Sequence, residues 1–192
     1  MNLPMEPSKA KRFRAQLEAH QTGLEYGEFM AQILASHLAG EGAMPYYLGL
    51  KESEFEKMIK AYFGDLRVVA PTCAPLDESR CPEREDLERY LASEAENLNP
   101  STLWFIQIII AGLLGANHLW EDLGLVSRPE LRRLLEAVFP KMAVKNTQNM
   151  RWKKFIYKQL CIAEGFVYVC RSPSCEQCSE YSLCFETKEE QT

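Results

Sequence analysis

The amino-acid sequence predicts an all-α protein, a bundle of short helices with a cysteine-rich, cluster-binding loop near its C-terminal end. Apolar residues recur at helical spacing over most of the chain, whereas the apolar–polar alternation typical of strands is scarce. Four of the seven cysteines fall close together between positions 170 and 184. Such clustering indicates a metal or cluster site more than it indicates scattered core thiols.

Helix boundaries are suggested by capping signals. Ser53 with Glu56 and Ser127 with Glu130 have the spacing of a capping box, and Pro100 suits a first helical position. The predicted helices span residues 8–19, 25–38, 53–63, 83–97, 101–116, 129–139 and 147–161.

One domain of ordinary soluble composition is expected from 192 residues, of which 46% are hydrophobic and 26% charged. Residues 1–165 form its helical part, 166–185 its cysteine-rich loop, and the polar segment 186–192 a disordered tail. The longest apolar run, 103–116, contains Gln107 and is shorter than the roughly 20 residues of a membrane span, so a buried core helix is predicted. Since no apolar signal segment follows the basic start, we expect a cytoplasmic protein without membrane contact.

Charge and motifs exclude several functions. The chain has 22 Lys and Arg against 27 Asp and Glu, a net charge of −5, which is unfavourable for general nucleic-acid binding. No nucleophile–base pair, phosphate-binding loop or recognisable pair of carboxylates is visible, so we do not expect a turnover enzyme.

The cysteines have the pattern Cys170-x4-Cys175-x2-Cys178-x5-Cys184. Thiolates are soft ligands that suit both iron–sulfur clusters and zinc. The first three cysteines have the spacing of plant-type ferredoxins, although the fourth follows sooner than it does there. A tetrahedral zinc site would accept the same four ligands, and unrelated buried thiols are a third explanation. Spacing alone leaves these alternatives open.

Three blocks of sequence, in order, resemble the NifQ family. They are the run HLWEDLGL at 118–125, the run NMRWKKFIYKQLC at 149–161, and the cysteine segment with Pro173-Ser174-Cys175 and Cys184-Phe185. The resemblance covers about 117–185 and is thinner upstream, where Leu48-Gly49-Leu50 is the main match. Cys73 and Cys81 match no family motif, and we assign them no role.

The resemblance implies an iron–sulfur protein that carries molybdenum and donates it for assembly of the iron–molybdenum cofactor of nitrogenase. It implies Cys170, Cys175, Cys178 and Cys184 as ligands of the cluster. We hypothesise a 3Fe-4S type cluster that becomes a Mo-Fe-S cluster when loaded, with one cysteine spare for the incoming metal. The implied partners are molybdate or molybdenum, the nitrogenase iron protein and the cofactor scaffold complex. The alternative from another class is a helical zinc-knuckle adaptor for protein–protein docking.

Basic residues of the last predicted helix are accessory candidates. Arg151, Lys154 and Lys158 lie three and four positions apart and therefore share a face, which Cys161 continues. This face suits capture of a molybdenum oxyanion, docking of an acidic partner, or plain solvation. His118 is a candidate metal ligand or a hydrogen-bonding residue at a helix end. The opposite face is expected to be buried and contains Trp152, Phe155, Ile156 and Leu160.

Overall fold

The structure is a computed structural model that describes residues 8–76, 79 and 81–165. Within these residues the fold is helical, without strands, as the sequence predicts. The helices are α1 (Lys9–Ala19), α2 (Gly27–Ala39), a 3-10 helix (Tyr46–Gly49), α3 (Glu52–Phe63), α4 (Arg84–Glu94), α5 (Pro100–Leu113), α6 (Leu119–Asp122), α7 (Arg128–Val138), α8 (Pro140–Ala143) and α9 (Trp152–Ala163). The cysteine-rich loop and the tail predicted after residue 165 lie outside the described residues.

Helix α5 lies at the centre of the bundle. Eleven of its 14 residues are buried, including an uninterrupted series from Ile108 to Leu113. It packs against α4, the 3-10 helix and α6, and its Phe105 ring meets Tyr26 edge to face at 5.9 Å between centroids. A helix that is apolar on nearly every face is a buried core helix, which confirms the prediction for this run. No helix among the described residues combines the length and hydropathy that a bilayer crossing requires.

Two of the predicted signals, Pro100 and Ser127, mark helix starts in the structure. Asn99 caps α5 by accepting a hydrogen bond from the Thr102 N–H at 2.9 Å, and Pro100 is the first helical residue. Ser127 caps α7 by accepting from the Glu130 N–H at 3.4 Å. Both caps satisfy a backbone N–H that the helix itself leaves without a partner. The predicted cap at Ser53 was wrong, because α3 begins one residue earlier, at Glu52.

Helix α9 begins later than the pattern predicts. The side chain of Asn146 donates to the Met150 carbonyl oxygen at 2.9 Å and accepts from the Met150 N–H at 2.8 Å. This pair of bonds closes a buried turn in which Asn149 has a left-handed φ of 50°. The helix therefore starts at Trp152, five residues after the predicted start at Thr147. A short polar side chain that bonds nearby backbone groups competes with helix formation.

Helix α2 buries a histidine. His37 is 4% exposed, and its Nε2 makes no hydrogen bond with any described residue. Burial lowers the pKa of His37 from 6.5 to about 4, because the charged imidazolium is poorly solvated there. The folded protein therefore holds this side chain in its neutral form at neutral pH.

Acidification should destabilise the protein through His37. The unfolded chain takes up this proton near pH 6.5 and the folded chain only near pH 4, so the free energy of unfolding falls as pH drops between these values. The contribution lost over this interval is on the order of 3 kcal/mol, since each pKa unit corresponds to about 1.4 kcal/mol. Urea titrations at pH 7 and pH 4.5 should show a smaller pH dependence in His37→Leu than in the parent. The exposed His20→Leu is the control, and an equal slope in His37→Leu and the parent would contradict this account.

A cationic cavity between α6 and α9

The buried carboxylate of Asp122 organises the region between α5 and α9. Asp122 closes the four-residue helix α6 and is completely buried. Its oxygens accept from the backbone N–H of Asn117 at 3.2 Å and from the Asn117 side-chain amide at 3.1 Å, and they pair with the ammonium of Lys153. A buried charge is tolerated only where partners of this kind compensate its lost hydration.

Two glycines allow this close packing. A Cβ atom at Gly115 would clash with the Asp122 carboxylate, and one at Gly124 would clash with the Ser36 side chain. Gly124 also has a positive φ of 71°, a conformation that favours glycine. Its carbonyl oxygen accepts from the Ser36 hydroxyl at 2.5 Å. Helix α6 and the turn that follows are therefore fixed against α2 as well as α5.

Lys153 connects α9 to this arrangement. Besides pairing with Asp122, its Nζ donates to the Gly115 carbonyl oxygen at 2.8 Å, at the end of α5. The apolar face of α9 packs into the core, which confirms the prediction that Trp152, Phe155, Ile156 and Leu160 are buried. The first turn of α9 is thus held beside α6 by one ion pair and a hydrophobic face.

A cavity of about 500 Å³ opens where α6, α7 and the first turn of α9 meet. Among the described residues its charged lining consists of Arg128, Arg151, Lys153 and Lys154, opposed by Glu121 alone. Glu121 caps α6 by accepting from the His118 N–H at 2.9 Å. The lining therefore brings together four basic side chains, of which Lys153 is paired with Asp122, in a chain whose net charge is −5.

The sequence-predicted accessory residues separate into two groups. His118, Arg151 and Lys154 line the cavity together, although the first is in a different sequence block from the other two. Lys158 and Cys161 lie further along α9 and are not part of the described lining. Sequence reasoning missed Arg128 and Lys153. One signal for Lys153 was available in the sequence. Asp122 is an acidic residue between Leu119 and Leu123 on an otherwise apolar helical face, and a carboxylate buried there needs a basic partner.

The cysteines lie in different environments. Cys170, Cys175, Cys178 and Cys184 are outside the described residues, so their part as ligands stays a prediction. Cys81 is buried in the hydrophobic core and Cys73 is half-buried. Burial raises the pKa of both thiols, which disfavours the thiolate form that binds metals. In the described part of the chain, no three His, Cys, Asp or Glu side chains converge as a metal site.

Replacing Lys153 by Met should destabilise the fold strongly. Its side chain is 19% exposed and that of Asp122 is 0% exposed, so the change strands a buried carboxylate without its counter-charge. We expect a loss of about 2–4 kcal/mol in the free energy of unfolding, measured by urea titration. The double variant Asp122→Asn/Lys153→Met should recover part of the loss, since it removes both charges.

The control for this change is Lys57→Met, which breaks an exposed pair with Glu54 whose side chains are 66% and 42% exposed. That variant should lose much less stability, because water solvates both partners. Equal losses of unfolding free energy in Lys57→Met and Lys153→Met would show that the buried Asp122–Lys153 pair contributes no more to stability than an exposed pair does.

Comparison with known proteins identifies the family. Protein NifQ of Azotobacter vinelandii is 41% identical over 169 residues, which cover 82% of this chain and 86% of that protein. Protein NifQ of Klebsiella pneumoniae is 36% identical over 167 residues (83% and 98%), and that of Rhodobacter capsulatus 34% over 159 residues (83% and 87%). No solved structure is significantly similar to the chain. The NifQ family model matches residues 29–186, and the chain therefore belongs to the NifQ family.

Proposed function

We propose that this protein serves nitrogen fixation as a cytoplasmic molybdenum carrier, which binds an iron–sulfur cluster and donates molybdenum for assembly of the nitrogenase iron–molybdenum cofactor. Family membership is the observation that supports this proposal most. The family match extends to residue 186 and so includes all four clustered cysteines. By this proposal the protein is a carrier and not an enzyme with turnover.

The donor set fits the proposed cofactor. Cys170, Cys175, Cys178 and Cys184 supply four soft, anionic sulfur ligands within fifteen residues of chain. Thiolates of this kind hold iron–sulfur clusters, whose sulfides can bind a thiophilic metal such as molybdenum. If three thiolates hold the irons of a 3Fe-4S type cluster, the fourth is available to the cargo metal.

The cationic cavity supports the same function from the described residues. It is formed partly by the first turn of α9, and the cysteine segment begins only a few residues after α9 ends at Ala163. Helix α9 therefore connects, along the chain, a cavity lined by basic residues with the segment that would hold the cluster. The proposed recipients are the nitrogenase iron protein and the cofactor scaffold complex, as the family resemblance implies.

Metal analysis tests the cofactor. The protein purified without oxygen should be brown, with broad visible absorbance, several irons per chain and some molybdenum, because sulfide-to-iron charge transfer colours iron–sulfur clusters. A colourless protein that holds one zinc and takes up no iron on reconstitution would contradict the proposal. That result would favour the zinc-knuckle adaptor instead, since zinc–thiolate sites are colourless.

Serine replacement of each clustered cysteine tests whether one thiolate is spare. Three variants should lose both iron and molybdenum, whereas the fourth should keep most iron and lose molybdenum, because only its thiolate would contact the cargo metal. Iron and molybdenum are counted in each variant by mass spectrometry. Cys73→Ser is the control, as this half-buried loop thiol has no assigned role. Equal loss of both metals in all four variants would contradict a spare ligand.

A further inference from the structure

We infer that the apolar run Phe166-Val167-Tyr168-Val169, which lies outside the described residues, docks into a groove between α3, α4 and α5. The run stands between the end of α9 and Cys170, the first of the clustered cysteines. Its docking would fix the start of the cysteine segment against the helical bundle. The inference concerns the packing of the chain and does not depend on which metal the cysteines bind.

The groove is the place where the central helix is left uncovered. Pro100, Leu103 and Gln107 are the three residues of α5 that are not buried, and all three line the groove. They lie three and four positions apart and therefore form one stripe along the helix. Leu103 is 49% exposed, although the helix around it is apolar and buried. The described helices thus cover α5 on every side except this stripe.

Apolar side chains dominate the lining of the groove, which has a volume of about 880 Å³. Leu50 contributes from the turn before α3, Ala92 from α4, and Trp104 and Ile106 from α5. Single exposed apolar residues are common on protein surfaces, whereas a concave surface built from several of them marks a contact. Apolar side chains that enter such a groove release its water, which stabilises the docked state.

The chain leaves α9 beside this groove. Glu164, which follows the last helical residue, pairs with Arg89 of α4 at 3.1 Å, and Arg89 is itself part of the groove lining. Gly165 has a φ of 77°, a left-handed conformation that ends helices and turns the chain. Phe166 comes next in the sequence. The run therefore starts at the edge of the groove, which identifies it as the occupant.

The run also has the length and composition that the groove requires. Four extended residues span about 13 Å. Helices in direct contact, as α4 and α5 are, have axes about 8–10 Å apart. The run can therefore reach from Arg89 on α4 to Leu103 on α5. Its aromatic and β-branched side chains are apolar, whereas mainly polar residues follow Cys170.

Limited proteolysis of the full chain by chymotrypsin tests the docking, because the enzyme cleaves after Phe166 and Tyr168 only when the run leaves the groove. Cleavage there should be at least tenfold slower than in a free peptide of the same sequence. Leu103→Glu should accelerate it tenfold or more, since it places a charge in the groove. Glutamate is compatible with the first turns of α5, so the helix is kept.

Leu98→Glu is the matched control, because Leu98 is 55% exposed and does not line the groove. This variant should be cleaved at the rate of the parent. Circular dichroism establishes that both variants keep the helical content of the parent.

The reciprocal variant replaces Phe166, Val167, Tyr168 and Val169 by serine in the full chain. Photochemical carbene labelling, which marks side chains that solvent reaches, should then increase several-fold at Leu103, because the groove has lost its occupant. Labelling of Val126, which is 66% exposed and does not line the groove, should stay the same.

Three results would overturn the inference. Cleavage of the parent as fast as that of the peptide would show that the run is not docked. Slow cleavage that Leu103→Glu leaves unchanged would show that the run packs elsewhere. A dimer that Leu103→Glu dissociates, with the run cleaved rapidly throughout, would assign the groove to a second copy of the chain. Iron and molybdenum contents do not enter these measurements, so the proposed function is tested separately.

Discussion

The pairing of a buried carboxylate with a lysine from another helix is the interaction on which the functional end of the molecule depends. Asp122 closes a helix of only four residues, too short to be stable by itself. Its bonds to Asn117 and Lys153 attach that helix to α5 and α9 at once. If the carboxylate were lost, α6 would keep its apolar contacts with α5 and its bond to α2, but it would lose its link to α9.

The charge lining the cavity differs in sign from the net charge of the molecule. The excess of carboxylates belongs to the molecule as a whole, whereas four basic residues at the starts of α7 and α9 line the same cavity. Solvent screening removes the influence of distant charges over about 10 Å at ordinary salt, so the local set decides what binds. Net charge, on which the expectation of no nucleic-acid partner rests, does not describe this surface.

Local signals determined how much of the structure could be predicted. The starts of α5 and α7 carry local signals, Pro100 and Ser127, so the sequence alone located them to within one residue. The start of α9 depends on a side chain several residues earlier, Asn146, which pattern analysis does not weigh. His118, Arg151 and Lys154 stood out as candidates. For the pairing of Lys153 with Asp122, 31 positions away, the one signal was the acidic residue on the apolar face of α6, and nothing local indicated that Arg128 lines the same cavity. Contacts between segments that are far apart in sequence form only when the helices pack, so local sequence patterns do not reveal them.

The apolar character of α5 has a consequence for synthesis of the chain. As the nascent polypeptide leaves the ribosome, α5 emerges before α6, α7, α8 and α9 have been made. Until α6 arrives, one side of a helix with eleven buried residues has no cover. Exposed apolar surface of this kind favours aggregation and recruits chaperones. Chains that terminate before α6 would therefore keep this apolar surface exposed and be prone to aggregation.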